Sequence, residues 1–382
     1  MKTLVIGGGM AGLTYAITAL KNGIDVTIAE RNNRVGKKIA MTGNGKCNIG
    51  NANVDASCFN NSIIVKNVLQ QVTVDEYVNF LNSCGIYTHT DEMGRMYPLS
   101  DSASNVVDCL RHQFAKHGGK LLLDTNVQSL SMQKGKYLLD GVIYDKVVLA
   151  CGSGSQVQNP VWPLVEKQWQ TPTCPSLVPV RISQMDGVLN GIRAKCTVTL
   201  LADGKKIAQE SGEVLFKDYG LSGICIFNLS ALIARNIVAG QNFNYTFSID
   251  LVPTMSQTEL LQIVSKRESA GERDKLFYGI LHNKLAESIA KRGKSAYEQC
   301  AIAKNFTFKF DKLLDYTMSQ VTAGGISEHF VDAETLTLSN GIVVLGEMLN
   351  VDGICGGNNL YFASASALYT FTKAERQKSY NA

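Results

Sequence analysis

KTLVIGGGMAGLTYAITALKNGIDVTIAE, residues 2–30, decides the fold. Residues 2–7 have the character of a short buried strand. Gly7-Gly8-Gly9-Met10-Ala11-Gly12 follows at once, and residues 13–22 carry helical spacing that stops at Gly23, a C-cap glycine. Residues 25–29 form a second strand closed by Glu30, 23 residues after Gly7. Gly7 permits the tight turn, Gly9 lets a pyrophosphate approach the backbone, and Gly12 lets helix and strand pack closely. The helix N-terminus offers free N–H groups and a partial positive charge to phosphate. Glu30 is placed to accept hydrogen bonds from two ribose hydroxyls, and its charge disfavours a 2′-phosphate there. Together these parts specify a dinucleotide without choosing between FAD and NAD.

The next segment, RVGKKIAMTGNGKCNIGN at residues 34–51, is rich in Gly, Asn and Lys and weak in periodicity. It is expected to be a long ordered loop, a place where function concentrates. Lys37, Lys38 and Lys46 either neutralise a pyrophosphate or form a solvated basic loop. Residues 63–83 and 106–117 have helical patterns, and 91–99 a turn and short strand. Short strands are expected at 120–124, 137–139 and 142–143, with a loop at Asn126-Val127. Residues 146–152 are a buried strand ending through Ala150 at Gly152. The Gly152-Ser153-Gly154 that follows lacks a third glycine, so no second dinucleotide fingerprint is present.

Three of the seven prolines fall in residues 171–180, a crossing segment. Residues 180–253 alternate as antiparallel strands with turns such as Asp203-Gly204. Of the 52 residues 254–305, nine are Lys or Arg and six are Asp or Glu, which fits a small helical subdomain with solvated faces. Strand character resumes at 306–310. Beyond residue 320 the pattern turns Gly-rich again: VTAGGI at 321–326, GIVVLGE at 341–347, and DGICGGNN at 352–359 before an apolar helix at 360–372. A strand ending at Gly346-Glu347 and a Gly-rich turn opening a helix repeat the N-terminal logic. The C-terminal segment is therefore expected to return to the first domain, with a helix starting near Gly357 whose positive end lies beside a bound cofactor.

These residues carry a family resemblance. Gly36-Lys37-Lys38 with Thr42-Gly43-Asn44-Gly45-Lys46-Cys47-Asn48 resembles the cofactor loop of the aminoacetone oxidase-like or bile-acid-reductase-like FAD flavoproteins, a family of the glutathione-reductase-like FAD superfamily. Gly94-Arg95-Met96-Tyr97-Pro98, Thr322-Ala323-Gly324-Gly325 and Gly346-Glu347 through Gly357-Asn358-Asn359 continue the likeness along nearly the whole chain. Departures from the family pattern include Asn44 for Gly, Ile224 for Pro and Asn358 for Tyr.

The resemblance implies an α/β protein: a Rossmann-like FAD-binding domain with an inserted β-barrel-like domain and a small helical subdomain. The expected boundaries are 1–171 with 320–382, 172–253 with 306–319, and 254–305. It implies cofactor contacts from Gly7, Gly9, Met10, Ala11 and Gly12 at the pyrophosphate, from Glu30 and Arg31 near the adenosine ribose, and from the Val127 backbone at adenine. Lys37, Lys38, Thr42, Gly43, Gly45 and Asn48 would serve in the loop, and Ala150, Gly152, Gly346 and Glu347 at strand ends. Gly357, Asn358, Asn359 and Leu360 would meet the pyrimidine side of the flavin. Cys47, Arg95 and Tyr97 are substrate candidates, and no catalytic acid or base is assigned.

The implied activity is hydride transfer through FAD to a small organic substrate, with NADH or NADPH as donor. The alternatives are an oxygen-using oxidase of a small amine such as aminoacetone, and a flavin-binding regulatory or RNA-associated protein with little turnover.

Composition bounds the rest. The 382 residues are 45% hydrophobic and 18% charged, a globular balance with ample core, and two or three domains are expected. A net charge of +4 is too small to make nucleic acid a stable partner. The ten Cys hold no CxxC, and the five His no HExxH, so neither a redox dithiol nor a metal site is expected. The N-terminus is unlike a secretion signal, and no stretch suits a membrane span. Reduced thiols and a cytoplasmic location are the expectation; oligomeric state is left open.

Overall fold

The computed structural model describes all residues except 61, 156–161, 273–274 and 381–382, with only the backbone of 373–380. The chain divides into two compact units, Met1–Thr173 with Val321–Ala382, and Cys174–Gln320.

The first unit is built on a seven-stranded sheet. Its order is Val331–Asp332, Thr337–Leu338, Val343–Val344, Lys146–Leu149, Lys2–Ile6, Asp25–Ala29 and Lys120–Leu122. The five strands from Val343–Val344 to Lys120–Leu122 run parallel, in register Leu4 with Val147 and with Thr27. Leu4, Val5, Val26, Ile28, Val147 and Val148 are fully buried, as a sheet covered on both faces requires. The Met10–Lys21 helix packs on Ala103–Lys116 and on Asn358–Tyr380, with the Tyr15 and Phe371 rings 5.0 Å apart.

Two expectations for this unit need correction. Residues 63–83 are two helices, Ile63–Gln71 and Val74–Ser83. Thr73 and Glu76 form a reciprocal capping box, which ends one helix and starts the next inside a continuous apolar pattern. Residues 34–51 are more than a loop: they hold a one-turn helix at Lys37–Ala40, a 3₁₀ turn at Thr42–Gly45 and a strand at Gly50–Asn51. That strand pairs with Arg95–Pro98, which pairs in turn with Thr88–Thr90.

The second unit is a closed six-stranded antiparallel barrel. Val180–Ile182, Gly220–Ser222, Lys205–Lys217, Arg193–Ala202, Tyr245–Asp250 and Phe306–Leu313 follow one another around it. Asp203 and Gly204 have φ of 47° and 78°, the two positive values that a two-residue hairpin turn needs. The expectation of strands throughout 180–253 fails at Ile224–Val238, a helix of 15 residues. Its sequence, ICIFNLSALIARNIV, is apolar enough to mask helical period behind strand-like content. Helices Gln257–Ser269, Asn283–Arg292 and Ala296–Lys304 complete the unit.

Lys304 ties these helices to the barrel. Its ammonium lies 2.6 Å from Asp250 Oδ2 and donates to the carbonyls of Val252 and Met255 at 2.9 and 2.6 Å. Both side chains of the pair are mostly buried, with 17% and 25% exposure. Lys304→Met strands a carboxylate and two carbonyls. It is expected to lower stability by about 2–4 kcal/mol, read as a lower urea midpoint at unchanged slope.

Candidate functional site

The parallel strands end together. Gly7 N–H donates to the Ala29 carbonyl and Ala150 N–H to the Ile6 carbonyl, both at 2.8 Å. In a parallel sheet the crevice beyond these carboxyl ends is where ligands settle. The Met10–Lys21 helix opens there on Gly9 with no side-chain cap, so its first N–H groups are not claimed by a capping residue. A Cβ on Gly9 would meet nothing within 4 Å, whereas one on Gly12 would strike the Gly7 carbonyl oxygen. Thus Gly9 faces open space and Gly12 marks a close backbone approach, as the sequence pattern predicts.

Glu30 ends the second strand, with 8% exposure. Its carboxylate accepts from Gly8 N–H at 2.8 Å and from Asn32 N–H at 3.0 Å. Thr125 N–H donates to the Glu30 carbonyl at 2.9 Å, which brings the buried Val127 segment alongside. Arg31 is exposed at the rim.

The loop around residue 43 has an unusual backbone. Gly43, Asn44, Gly45 and Cys47 have φ of 57°, 52°, 87° and 61°. Asn is the side-chain-bearing residue best suited to this left-handed region, which accounts for Asn44 standing where the family pattern has glycine. Thr42 Oγ1 donates to the Ile39 carbonyl at 2.7 Å.

Asn48 is the hinge-pin of the site. With its amide oriented to satisfy its neighbours, its nitrogen donates to the Gly50 and Met96 carbonyls at 3.0 and 3.2 Å. Its oxygen accepts from Gly357 N–H at 3.1 Å. Asn51 Nδ2 donates to the Gly356 carbonyl at 2.9 Å. The loop and the entry of the Asn358–Tyr380 helix are therefore one structure. Gly357 has φ of 93°, and a Cβ there would collide with the Gly50 carbonyl. Asn359 accepts from Gly353 N–H and donates to its carbonyl, both at 2.8 Å. Asn358 is 2% exposed, and its Oδ1 has no hydrogen-bond partner among the described residues. Leu360 is half-buried just behind it.

The lysines separate. Lys37 donates to Asn32 Oδ1 at 3.2 Å. Lys38 lies 3.1 Å from Glu347 Oε2 and 2.6 Å from Ser155 Oγ. Lys46 is drawn away to Asp101, 3.5 Å distant. Sequence reading missed Ser153 and Ser155 because the only signal before them was an incomplete glycine pattern. Gly346 packs beside Ala11, so the second chain end reaches the first turn of the Met10–Lys21 helix.

Of the three substrate candidates, Arg95 and Tyr97 share the outward face of their strand, while Met96 and Pro98 point inward. Arg95 Nε and Nη2 both sit 2.7 Å from Asp91 Oδ2, and hydrogen bonding there tightens its hold on its proton. The Tyr97 ring stacks on His89 at 5.8 Å. Asp101 bonds His89 Nε2 at 3.2 Å, and this bond leads in holding its carboxyl below the usual range. Cys47 corrects its expectation: it is fully buried, and burial pushes its thiol up to about 11, against a small opposing hydrogen bond with Thr42. A protonated thiol inside the core packs; it does not meet a substrate.

Comparison with known proteins places these features in context. The sequence pattern of the family described as HI0933-like protein Rossmann domain matches residues 1–372. A 3-dehydro-bile acid delta(4,6)-reductase from Clostridium scindens is 29% identical, over 95% of this chain and 96% of the relative. A ribosomal RNA dihydrouridine synthase from Haemophilus influenzae is 26% identical, over 98% of this chain and 99% of the relative. Among solved structures, a 3-ketosteroid delta1-dehydrogenase from Sterolibacterium denitrificans is 11% identical with a TM-score of 0.49, covering 98% of this chain and 99% of that one.

Gly12→Ala is expected to weaken retention of a bound dinucleotide about tenfold or more, since the new methyl must displace the Gly7 turn; equilibrium dialysis measures it. Cys47 gives a pH prediction. Its thiol ionises near 9 when unfolded but near 11 in the fold, so the folded state binds more protons between these values. Its contribution is whole below pH 9 and declines as pH rises from 9 to 11. The urea midpoint of the native protein is expected to fall over that window more steeply than that of Cys47→Ala.

Proposed function

The chain belongs to the HI0933-like family of Rossmann-domain proteins, and from that premise we propose that it is an FAD-dependent oxidoreductase. The finer reading is that it passes hydride from NADH or NADPH to a small organic substrate whose carbon–carbon double bond is conjugated to a carbonyl. The observation that carries it is that two helices of one unit open around Gly346, which lies against Ala11 of one and Ala363 of the other. One opens uncapped at Gly9 and the other at Asn358, joined to the intervening loop through Asn48. One positive end suits a pyrophosphate and the other a ring that gains negative charge on reduction.

The residues fit the cofactor. Gly9 faces open space, and Asn358 Oδ1 is a buried acceptor with no donor among the described residues. Gly7, Gly9, Met10, Ala11 and Gly12 hold the pyrophosphate, Glu30 with Arg31 the ribose, and Val127 the adenine. Lys37, Thr42, Gly43, Gly45 and Asn48 line the loop side. Ala150, Gly152, Gly346 and Glu347 form the strand-end side, and Gly357, Asn358, Asn359 and Leu360 receive the ring. Bound there, FAD supplies two-electron hydride chemistry.

Substrate chemistry is supported by the relatives' names. One relative is named as a delta(4,6)-reductase and another as a dihydrouridine synthase, names that both fit addition of hydrogen across a carbon–carbon double bond. In this chain the balanced reaction is oxidation of one NAD(P)H with delivery of hydride to the β-carbon and a proton to the α-carbon. Arg95 and Tyr97, on the solvent face beside Asn51, are positioned to orient the carbonyl end. A net charge of only +4 favours a small molecule over RNA.

Anaerobic stopped-flow tests the reading. Rapid bleaching of flavin absorbance by NADH or NADPH, with slow reoxidation in air and fast reoxidation by a conjugated enone, is the expected result. Fast reoxidation by oxygen with peroxide release, and bleaching by aminoacetone, would replace it with an amine oxidase.

A further inference from the structure

Next to the phosphate cradle lies a partly buried polar cluster that joins segments from three parts of the chain. Glu347 Oε2 pairs with Lys38 Nζ at 3.1 Å, and Glu347 Oε1 accepts from Thr322 N–H at 2.9 Å. The ammonium also donates to Ser155 Oγ at 2.6 Å and to Ser153 Oγ at 3.5 Å. A lysine has three N–H donors, so Lys38 has none left for a phosphate. That reassigns it: Lys38 is a positioning residue that holds Glu347 and the 153–155 turn in place.

Within this satisfied cluster one group stands apart. Thr322 is 1% exposed, and its Oγ1 has no hydrogen-bond partner among the described residues. A buried hydroxyl without a partner is destabilising, and such groups are rare in folded proteins. Valine has nearly the same shape and the same β-branch and would avoid the penalty in this strand. The Thr322 backbone is fixed by Glu347, whose neighbour Gly346 packs against Ala11 at the first turn of the phosphate-facing helix.

We propose that Thr322 is a cofactor-contact residue, its hydroxyl taking a hydroxyl of the polyol that links the pyrophosphate to the ring. This rests on the FAD reading above. A polyol fits better than a phosphate because the Lys38–Glu347 pair leaves no net positive charge beside Thr322 to hold an anion, while a hydroxyl both donates and accepts. Removing the Thr322 hydroxyl should therefore act in opposite directions on the empty fold and on the loaded protein.

The test compares wild type, Thr322→Val and Thr322→Ser. FAD release from the purified holoprotein is followed by flavin fluorescence on dilution, and the flavin-stripped proteins are melted. Thr322→Val is expected to weaken FAD binding about five- to tenfold while raising the melting temperature of the stripped protein by about 2–4 °C. Thr322→Ser, which keeps the hydroxyl, is expected to restore retention. Unchanged FAD release in Thr322→Val, or a lowered melting temperature of its stripped form, overturns the proposal and leaves the FAD reading intact. A wild-type protein that binds no FAD removes both.

Discussion

The site depends on one close approach, that of Gly357 to the Gly50 carbonyl, fixed by the Asn48 amide. This contact joins residues about three hundred positions apart and aligns the start of the last helix with a loop that follows the first βαβ unit. Without it, the Met10–Lys21 helix would still open at the strand ends, but the start of the Asn358–Tyr380 helix would be untied from the loop. The left-handed run at Gly43, Asn44, Gly45 and Cys47 serves the same contact by turning the chain back toward Gly50. That strain is tolerable because the far side of the loop, including Cys47 and Ile49, is packed into the core.

The carboxylates of the crevice are each held by specific donors. Glu30 accepts from backbone and amide N–H groups, and Glu347 is paired with Lys38 and accepts from a backbone N–H. Lys46 is diverted to Asp101. Positive charge at the strand ends thus comes mainly from the rigid start of the Met10–Lys21 helix, because Lys38 and Lys46 are each held by a carboxylate.

Much of this was legible in the sequence because glycine and acid positions have hard geometric causes. Gly7 and Gly12 predict a turn and a close packing, and the structure has both, with Glu30 closing the second strand beside them. The return of the C-terminal segment was legible for the same reason, through Gly346 and Gly357. Partner choice was not. Lys38 and Lys46 lie in one loop, yet one meets Glu347 and the other Asp101, because tertiary folding selects the carboxylate. The helix at Ile224–Val238 escaped because buried helices and buried strands share apolar composition. Thr322 was visible only as part of a Gly-rich motif; its isolation inside a satisfied cluster exists only in three dimensions.

The central sheet has a further consequence for how the chain is made. The Val343–Val344 strand completes the parallel sheet against Val148 and Leu149, and the contiguous unit Cys174–Gln320 lies between them in sequence. At a synthesis rate of about 5–20 residues per second, the early strands wait roughly 10–40 s for their last parallel neighbour. The barrel can close during that interval, so the later-born unit reaches its native pairing first. The nascent N-terminal half meanwhile exposes the edge of Lys146–Leu149, which makes that short apolar strand the point at which a newly made chain is open to wrong pairing.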